Sequence, residues 1–172
     1  GRSNVLDLIV SSNVVSITPT SASKLEGNAA TTPFTFTITR SGNTSESATV
    51  DYVVSGSGVN AATTDDFNGI FPSGSVTFVA GQTSQVITID VSGDTVVELA
   101  ETFDVRLTSA VGTAIANSNA TSTINNDDTS FTIAIAAANA SMLEGNTGST
   151  PFIFTVTRNG VTTGAGSVKF SV

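Results

Sequence analysis

Apolar and polar residues alternate with a period of two along most of the chain, the spacing that turns one face of a β-strand to a core and the other to water. Phe34, Phe36 and Ile38 alternate with Thr35, Thr37 and Thr39. The same pattern predicts strands over Ala48, Val50, Tyr52 and Val54, over Val76 and Phe78, over Ile87, Ile89 and Val91, and over Phe103, Val105 and Leu107. Weaker strands are expected near Val14 to Thr18 and Ala120 to Asn125, with turn signals such as Ser41-Gly42-Asn43 and Ala80-Gly81-Gln82 between strands. Seven short strands within residues 12–128 predict an all-β fold, an immunoglobulin-like seven-stranded antiparallel β-sandwich.

An internal repeat sets the organisation. Leu25-Glu26-Gly27-Asn28 returns 118 positions later as Leu143-Glu144-Gly145-Asn146. The register then holds without a gap, so that Pro33-Phe34, Phe36-Thr37, Thr39-Arg40 and Gly42 recur as Pro151-Phe152, Phe154-Thr155, Thr157-Arg158 and Gly160. About 18 of 39 paired positions are identical, more than shared composition would give. The expected layout is an N-terminal segment (1–11), a complete repeat (12–128), and the first strands of a second repeat (129–172). That second stretch lacks the strands that would close its core, so the expectation is that either the array was cut here or strands from another chain complete it.

Composition narrows the chemistry. The 172 residues include no Cys, His or Trp, which excludes a Ser-His triad, a thiolate nucleophile, and nitrogen or sulfur ligands for zinc or copper. No enzymatic activity is expected. Fourteen Asp and Glu against six Lys and Arg give a formal charge of −8, which argues against nucleic acid or an anionic membrane as a partner. No apolar run approaches the ~18 residues of a membrane-spanning helix, so no membrane insertion is expected. Any bound metal would be hard and held by oxygen.

Strand parity locates the acids. In a seven-stranded antiparallel array the first–second, third–fourth and fifth–sixth connections, with the residues after the last strand, share one pole. That pole collects Glu26, Asp65, Asp66, Asp94, Glu98, Glu101, Asp127 and Asp128, whereas the opposite loops hold only Glu46. Lys24 is the one obvious local base, and like charges about 4 Å apart repel by up to about 4 kcal/mol at an effective dielectric near 20. Calcium, which accepts six to eight oxygens in irregular geometry, suits carboxylates drawn from several loops better than magnesium does. Glu98 and Glu101 lie three apart, and one helical turn over 96–101 would aim both the same way. Asp7, Glu46, Asp51, Asp90 and Asp104 read as solvated charges, with Arg40 and Arg106 as their cross-strand company.

The chain resembles the Calx-beta domain family, first recognised in sodium–calcium exchangers and in the cytoplasmic tail of an integrin subunit. The carriers are Leu25-Glu26-Gly27, Phe36-Thr37-Ile38-Thr39-Arg40, Ala48-Thr49-Val50-Asp51-Tyr52, Asp65-Asp66-Phe67, Gly74-Ser75-Val76-Thr77-Phe78, Gly93-Asp94, Glu101-Thr102-Phe103 and Thr123-Ile124-Asn125-Asn126-Asp127-Asp128. The resemblance covers about residues 14–128 and again 131–172. It implies an immunoglobulin-like sandwich that binds Ca2+ at one pole, with Glu26, Asp66, Asp94, Glu98, Glu101, Asp127 and Asp128 as the metal ligands. Where the exchanger domain looks more acidic this chain carries Gly93, Thr95, Leu99 and Asn126, so fewer ions or weaker binding are expected. In the second stretch Glu144 matches Glu26.

The expected function is that of a calcium-binding structural repeat of a secreted or cell-surface adhesion or matrix protein. Calcium would rigidify the domain and the junction to its neighbour. Its partners would be neighbouring Calx-beta repeats of the same or another chain, with strand completion giving a homo-oligomer or filament. The alternative is a regulatory calcium sensor of a membrane transporter. Recognition by the opposite-pole loops, resting on a long loop over 110–119, is a third reading.

Overall fold

Period-two patterning becomes strand wherever one face finds a core. The structure, a computed structural model, describes residues 12–160 and 166–171. The segment 1–11, with Asp7, lies outside the described residues. The first strands are β1 (Val14–Pro19), β2 (Ser23–Leu25), β3 (Thr31–Ser41) and β4 (Ala48–Ser57). A 3-10 helix at Asp65–Phe67 precedes β5 (Ser73–Phe78), β6 (Ser84–Ser92), β7 (Glu101–Val111), β8 (Ala114–Asn117) and β9 (Asn119–Asn125). β10 (Phe131–Ala137) and β11 (Phe154–Gly160) follow. Packing divides the chain into two compact units, Gly1–Asp127 and Asp128–Val172.

The first unit is a sandwich of two sheets, β6-β3-β1-β8 and β2-β9-β7-β4-β5. Pairing is antiparallel except that β1 runs parallel to β8, and β2 parallel to β9. The inward residues are those the alternation marks: Phe34, Phe36, Ile38, Val50, Ile89, Phe103 and Val105 have 1% or less of their surface exposed. Phe103 of one sheet meets Phe34 and Phe36 of the other edge-on, with ring centroids at 5.4 and 5.9 Å, the favoured aromatic geometry.

Three expectations change. The terminal strands divide, β1 from β2 and β8 from β9, giving nine strands instead of seven; the added pieces are three and four residues long, too short to show alternation. The long loop expected over 110–119 is a Gly112-Thr113 turn followed by β8, paired to β1, which removes the basis for a recognition loop there. Arg40 is not a surface charge: it is 2% exposed and held by Asn13 Oδ1 (2.9 Å) and the Asn43 carbonyl (3.5 Å) instead of by a carboxylate.

The second unit contains a two-stranded antiparallel sheet, β10-β11. Its register, Ile133↔Arg158, Ile135↔Val156 and Ala137↔Phe154, is that of β1 and β3, Val15↔Arg40, Ile17↔Ile38 and Pro19↔Phe36, displaced by 118. Gly42 (φ +87°) and Gly160 (φ +105°) correspond in the same way, each passing so close to the backbone of residue 12 or 130 that a Cβ would collide.

Candidate metal centre

β2 and β9 run side by side and end together, Leu25 opposite Asn125, so the residues that follow them emerge adjacent. The Glu26 N–H donates to the Asn125 carbonyl (3.1 Å), and the Gly27 N–H to Asp127 Oδ1 (3.0 Å). Thr32 Oγ1 donates back to the Glu26 carbonyl, which closes the loop and leaves the Glu26 side chain inside it, 2% exposed.

Asp66 arrives from the 3-10 helix between β4 and β5. Phe67 drives that turn into the core, with its ring 5.4 Å from Phe103 and 5.5 Å from Phe71. Asp66 Oδ2 accepts from the Thr63 N–H (2.7 Å) and hydroxyl (3.3 Å), so the carboxylate is oriented and 8% exposed. The β6–β7 loop is pinned to the first loop, since Gly93 N–H donates to the Ala30 carbonyl at 2.9 Å. Asn126 Nδ2 donates to the Val96 carbonyl (2.7 Å) from the other side.

These three loops bring one carboxylate oxygen each of Glu26, Asp66 and Glu98 within 4.8 Å of one another, the first two buried and Glu98 exposed. Glu101, at the start of β7, is the fourth acid. Burial pushes its carboxyl from 4.5 up to about 7, and the Asp66, Glu98 and Glu26 charges and a hydrogen bond to Asp66 add to the rise. Two charges at this spacing repel by about 3 kcal/mol at an effective dielectric near 20, less where Glu98 meets water. Lys24 turns away, donating to the Pro33 carbonyl with its ammonium 5.8 Å from the Phe34 ring.

Parity thus brings Glu26, Asp66, Glu98 and Glu101 together. Asp127 lies beside them on the Gly27 amide. Asp94 is exposed, and its Oδ1 accepts from the Val96 N–H at 2.6 Å, a contact within its own loop. Asp65 is exposed, its N–H donating to Thr63 Oγ1, and Asp128 falls in the second unit. The helical turn expected over 96–101 does not form: 93–100 is irregular and Glu101 is already strand. Val96, Val97 and Leu99 are all exposed, so a helix here would have no apolar face to bury. Gly93, which the sequence marks only as a missing acid beside Asp94, contributes through its backbone. A Cβ there would stand 2.3 Å from the Gly27 carbonyl oxygen, so only glycine permits the approach of the two loops.

The donor set fits a hard divalent cation. It is all oxygen, mostly carboxylate, and drawn from separate loops with irregular spacing, which matches calcium better than the small octahedral shell of magnesium. Glu26, Asp66, Glu98 and Glu101 would hold the ion, with Asp127 at the rim.

Fold and site together define an immunoglobulin-like sandwich with a carboxylate-lined pole. The Calx-beta domain model matches residues 12–128, and the chain belongs to that family. Among solved structures it is similar to the apo-form Calx CBD1 domain, at 24% identity and TM-score 0.56 over 67% of this chain and 98% of that one. It is similar to CBD12 from CALX1.2 at 24% identity and TM-score 0.56, covering 67% of this chain and 46% of that one. A further likeness is to the calcium binding domain CBD12 of CALX1.1, at 27% identity and TM-score 0.53, over 65% and 44%. The chain therefore spans less than half the length of the two CBD12 structures. Among curated proteins no match is found.

Proposed function

We propose that this chain is a calcium-binding structural module, a Calx-beta repeat of a secreted or cell-surface adhesion or matrix protein, in which Ca2+ rigidifies the sandwich and its junction with the next unit. The single observation that carries this is the meeting of Glu26, Asp66 and Glu98 within 4.8 Å, two of them buried, with Glu101 pushed up to about 7 beside them. Such a cluster is self-repelling without a cation and ordered with one. The packing boundary lies just after Asp127, so an ion that fixes this residue also fixes the point from which the next unit departs. In this reading residues 129–172 open a second Calx-beta repeat, and neighbouring repeats, in the same or another chain, are the partners. Strand completion between chains would extend them into oligomers or filaments.

The test is a thermal melt in calcium, magnesium and chelator. A ligand at 100 times its dissociation constant adds about 2.7 kcal/mol, a rise in midpoint of about 10 °C for a unit of this size. Calcium should give that rise and magnesium little. The double variant Glu26→Gln, Asp66→Asn should abolish it; no calcium shift in the native chain defeats the proposal.

A second reading, a regulatory calcium sensor of a membrane transporter, is supported by the likeness to the CALX domains. Calorimetric titration separates the two. Extracellular modules bind at about 10⁻⁴–10⁻³ M and sensors at about 10⁻⁷–10⁻⁵ M, so the array reading expects the weaker range.

A further inference from the structure

A sandwich closes its core but leaves sheet edges, and the edges of the first unit are unequal. β2 and β8 are three and four residues long, and β5 is six with Gly74 inside it. β6 is nine residues long and pairs with β3 from Thr39↔Ser84 to Thr31↔Ser92 without a bulge. Among the described residues β3 is its only strand neighbour. It carries none of the usual protections of an edge, which are proline, lysine, a bulge or shortness.

The ladder fixes which backbone groups face outward. Arg40 N–H donates to the Thr83 carbonyl (2.7 Å) at one end of the β3–β6 pairing, and Gly93 N–H to the Ala30 carbonyl (2.9 Å) at the other. Bonded pairs alternate along an antiparallel ladder, so Gln85, Ile87, Ile89 and Val91 bond to β3. The N–H and C=O of Ser84, Val86, Thr88 and Asp90 therefore point away from it. All four residues are exposed, Val86 by 60%. The open edge ends at Ser92, whose Oγ accepts from the Asn68 N–H (3.2 Å).

We infer that the open edge of β6 is a docking surface whose occupant is the β6 edge of a second copy, paired antiparallel about a two-fold axis. Register follows from the groups available. With Ser84 opposite Asp90 of the second copy and Val86 opposite its Thr88, every outward residue of both strands is in a bonded pair. A slip of two residues either sets Val86 against Asp90 or leaves Asp90 beyond the partner strand. In the full register Val86 beside Thr88 is a favourable cross-strand pair, and the Asp90 carboxylate can accept from the Ser84 hydroxyl.

Charge is the second support. Asp90 is the one charged residue of β6, and Arg40, the one charged residue of β3, is buried, so the approaching edges are close to neutral. The acidic pole lies past the Ser92 end. Antiparallel pairing carries the two acidic poles to opposite ends of the pair, where salt screens them beyond about 8 Å. The product is one sheet running through two sandwiches and ending on the four-residue β8 of each, so association stops at a dimer. It uses neither the cation nor residues 129–172, and it stands apart from the calcium reading.

The experiment is sedimentation equilibrium of the whole chain in chelator, from about 5 to 500 µM. A single strand pair buries less than a standard interface, so a monomer–dimer midpoint on the order of 100 µM is expected. Ser84→Asp sets like charges opposite each other on both sides of the axis and should weaken the dimer about three- to tenfold; Ser84→Lys, set against Asp90, should tighten it by a similar factor. Thr88→Pro deletes an outward N–H that β3 does not use, twice in the dimer, and should weaken association at least about tenfold. Ser84 is exposed, so its two variants decide the matter even if Thr88→Pro lowers stability. A chain that is monomeric across the range overturns the inference. So does a dimer that a folded Thr88→Pro variant leaves intact, or one that both Ser84 changes move alike.

Discussion

Asp127 accepts a hydrogen bond from the Gly27 N–H at 3.0 Å across 100 positions of sequence, so the last residue of the first unit is anchored on the loop that carries the most buried acid of the site. Asp127→Ala removes that anchor. The expected result is a loss of about 1–2 kcal/mol in chelator, where the amide keeps only water as partner, and a smaller calcium-induced rise in midpoint. Denaturant unfolding with and without calcium measures both.

Gly93→Ala should be more damaging than its size suggests. The added methyl would overlap the Gly27 carbonyl oxygen at 2.3 Å, and backbone, unlike a side-chain tip, cannot swing aside. A loss of about 2–3 kcal/mol is expected, together with weakened calcium binding as Glu98 is carried away from Glu26 and Asp66. Calorimetric titration of the variant checks the second part; unchanged affinity would detach Glu98 from the site.

Acid strength at Glu101 gives a pH dependence of definite sign. Its carboxyl lies at about 7 in the fold, against 4.5 when unperturbed, so the folded state holds the proton more tightly than the unfolded state does. Its contribution to stability is therefore present at low pH and is lost as pH rises from about 4.5 through 7. In chelator the native chain should melt lower at pH 7.5 than at pH 5.5 by an amount that Glu101→Gln reduces. Calcium binding at pH 6 should release a proton that this variant does not, readable from titrations in buffers of different ionisation enthalpy.

Asn13 tests the opposite pole. Its Oδ1 accepts from Arg40 Nε (2.9 Å) and from Thr113 Oγ1 (3.1 Å), while Arg40 Nη1 is buried with no hydrogen bond. Asn13→Ala leaves a buried guanidinium poorly satisfied and should lower stability by about 2–3 kcal/mol. The calcium-induced shift should be unchanged, because the acids sit at the other end of the strands.

The core was legible in the sequence because its determinant is local: each strand of six or more residues shows its own alternation, from Phe34 in β3 to Leu107 in β7. Parity then carried Glu26, Asp66, Glu98 and Glu101 to one pole without any knowledge of side-chain geometry. What escaped depends on pairs distant in sequence. β2 and β8 are strands because β9 and β1 lie beside them, and three or four residues carry no period of their own. Gly93 matters through Gly27, 66 positions away. Arg40 read as surface because arginine usually is; the Asn13 amide oxygen and the Asn43 carbonyl make its burial tolerable. Asp94 shares the pole of the acids, and the bond its Oδ1 accepts from the Val96 N–H is a contact that parity does not register.

The parallel pairing of first with last strands also decides how the first unit answers to force. β2 runs beside β9 in the same direction, Ser23–Leu25 against Thr123–Asn125, and β1 beside β8 likewise. Tension that draws residue 12 backward and Asp127 forward slides these pairs along one another, so their hydrogen bonds are loaded in shear and together instead of peeling one at a time. A cation at the end of β2 and β9 sits where that shear would begin. The two short strands that alternation could not reveal are thus the mechanical clasp of the module, and the acids beside them its latch.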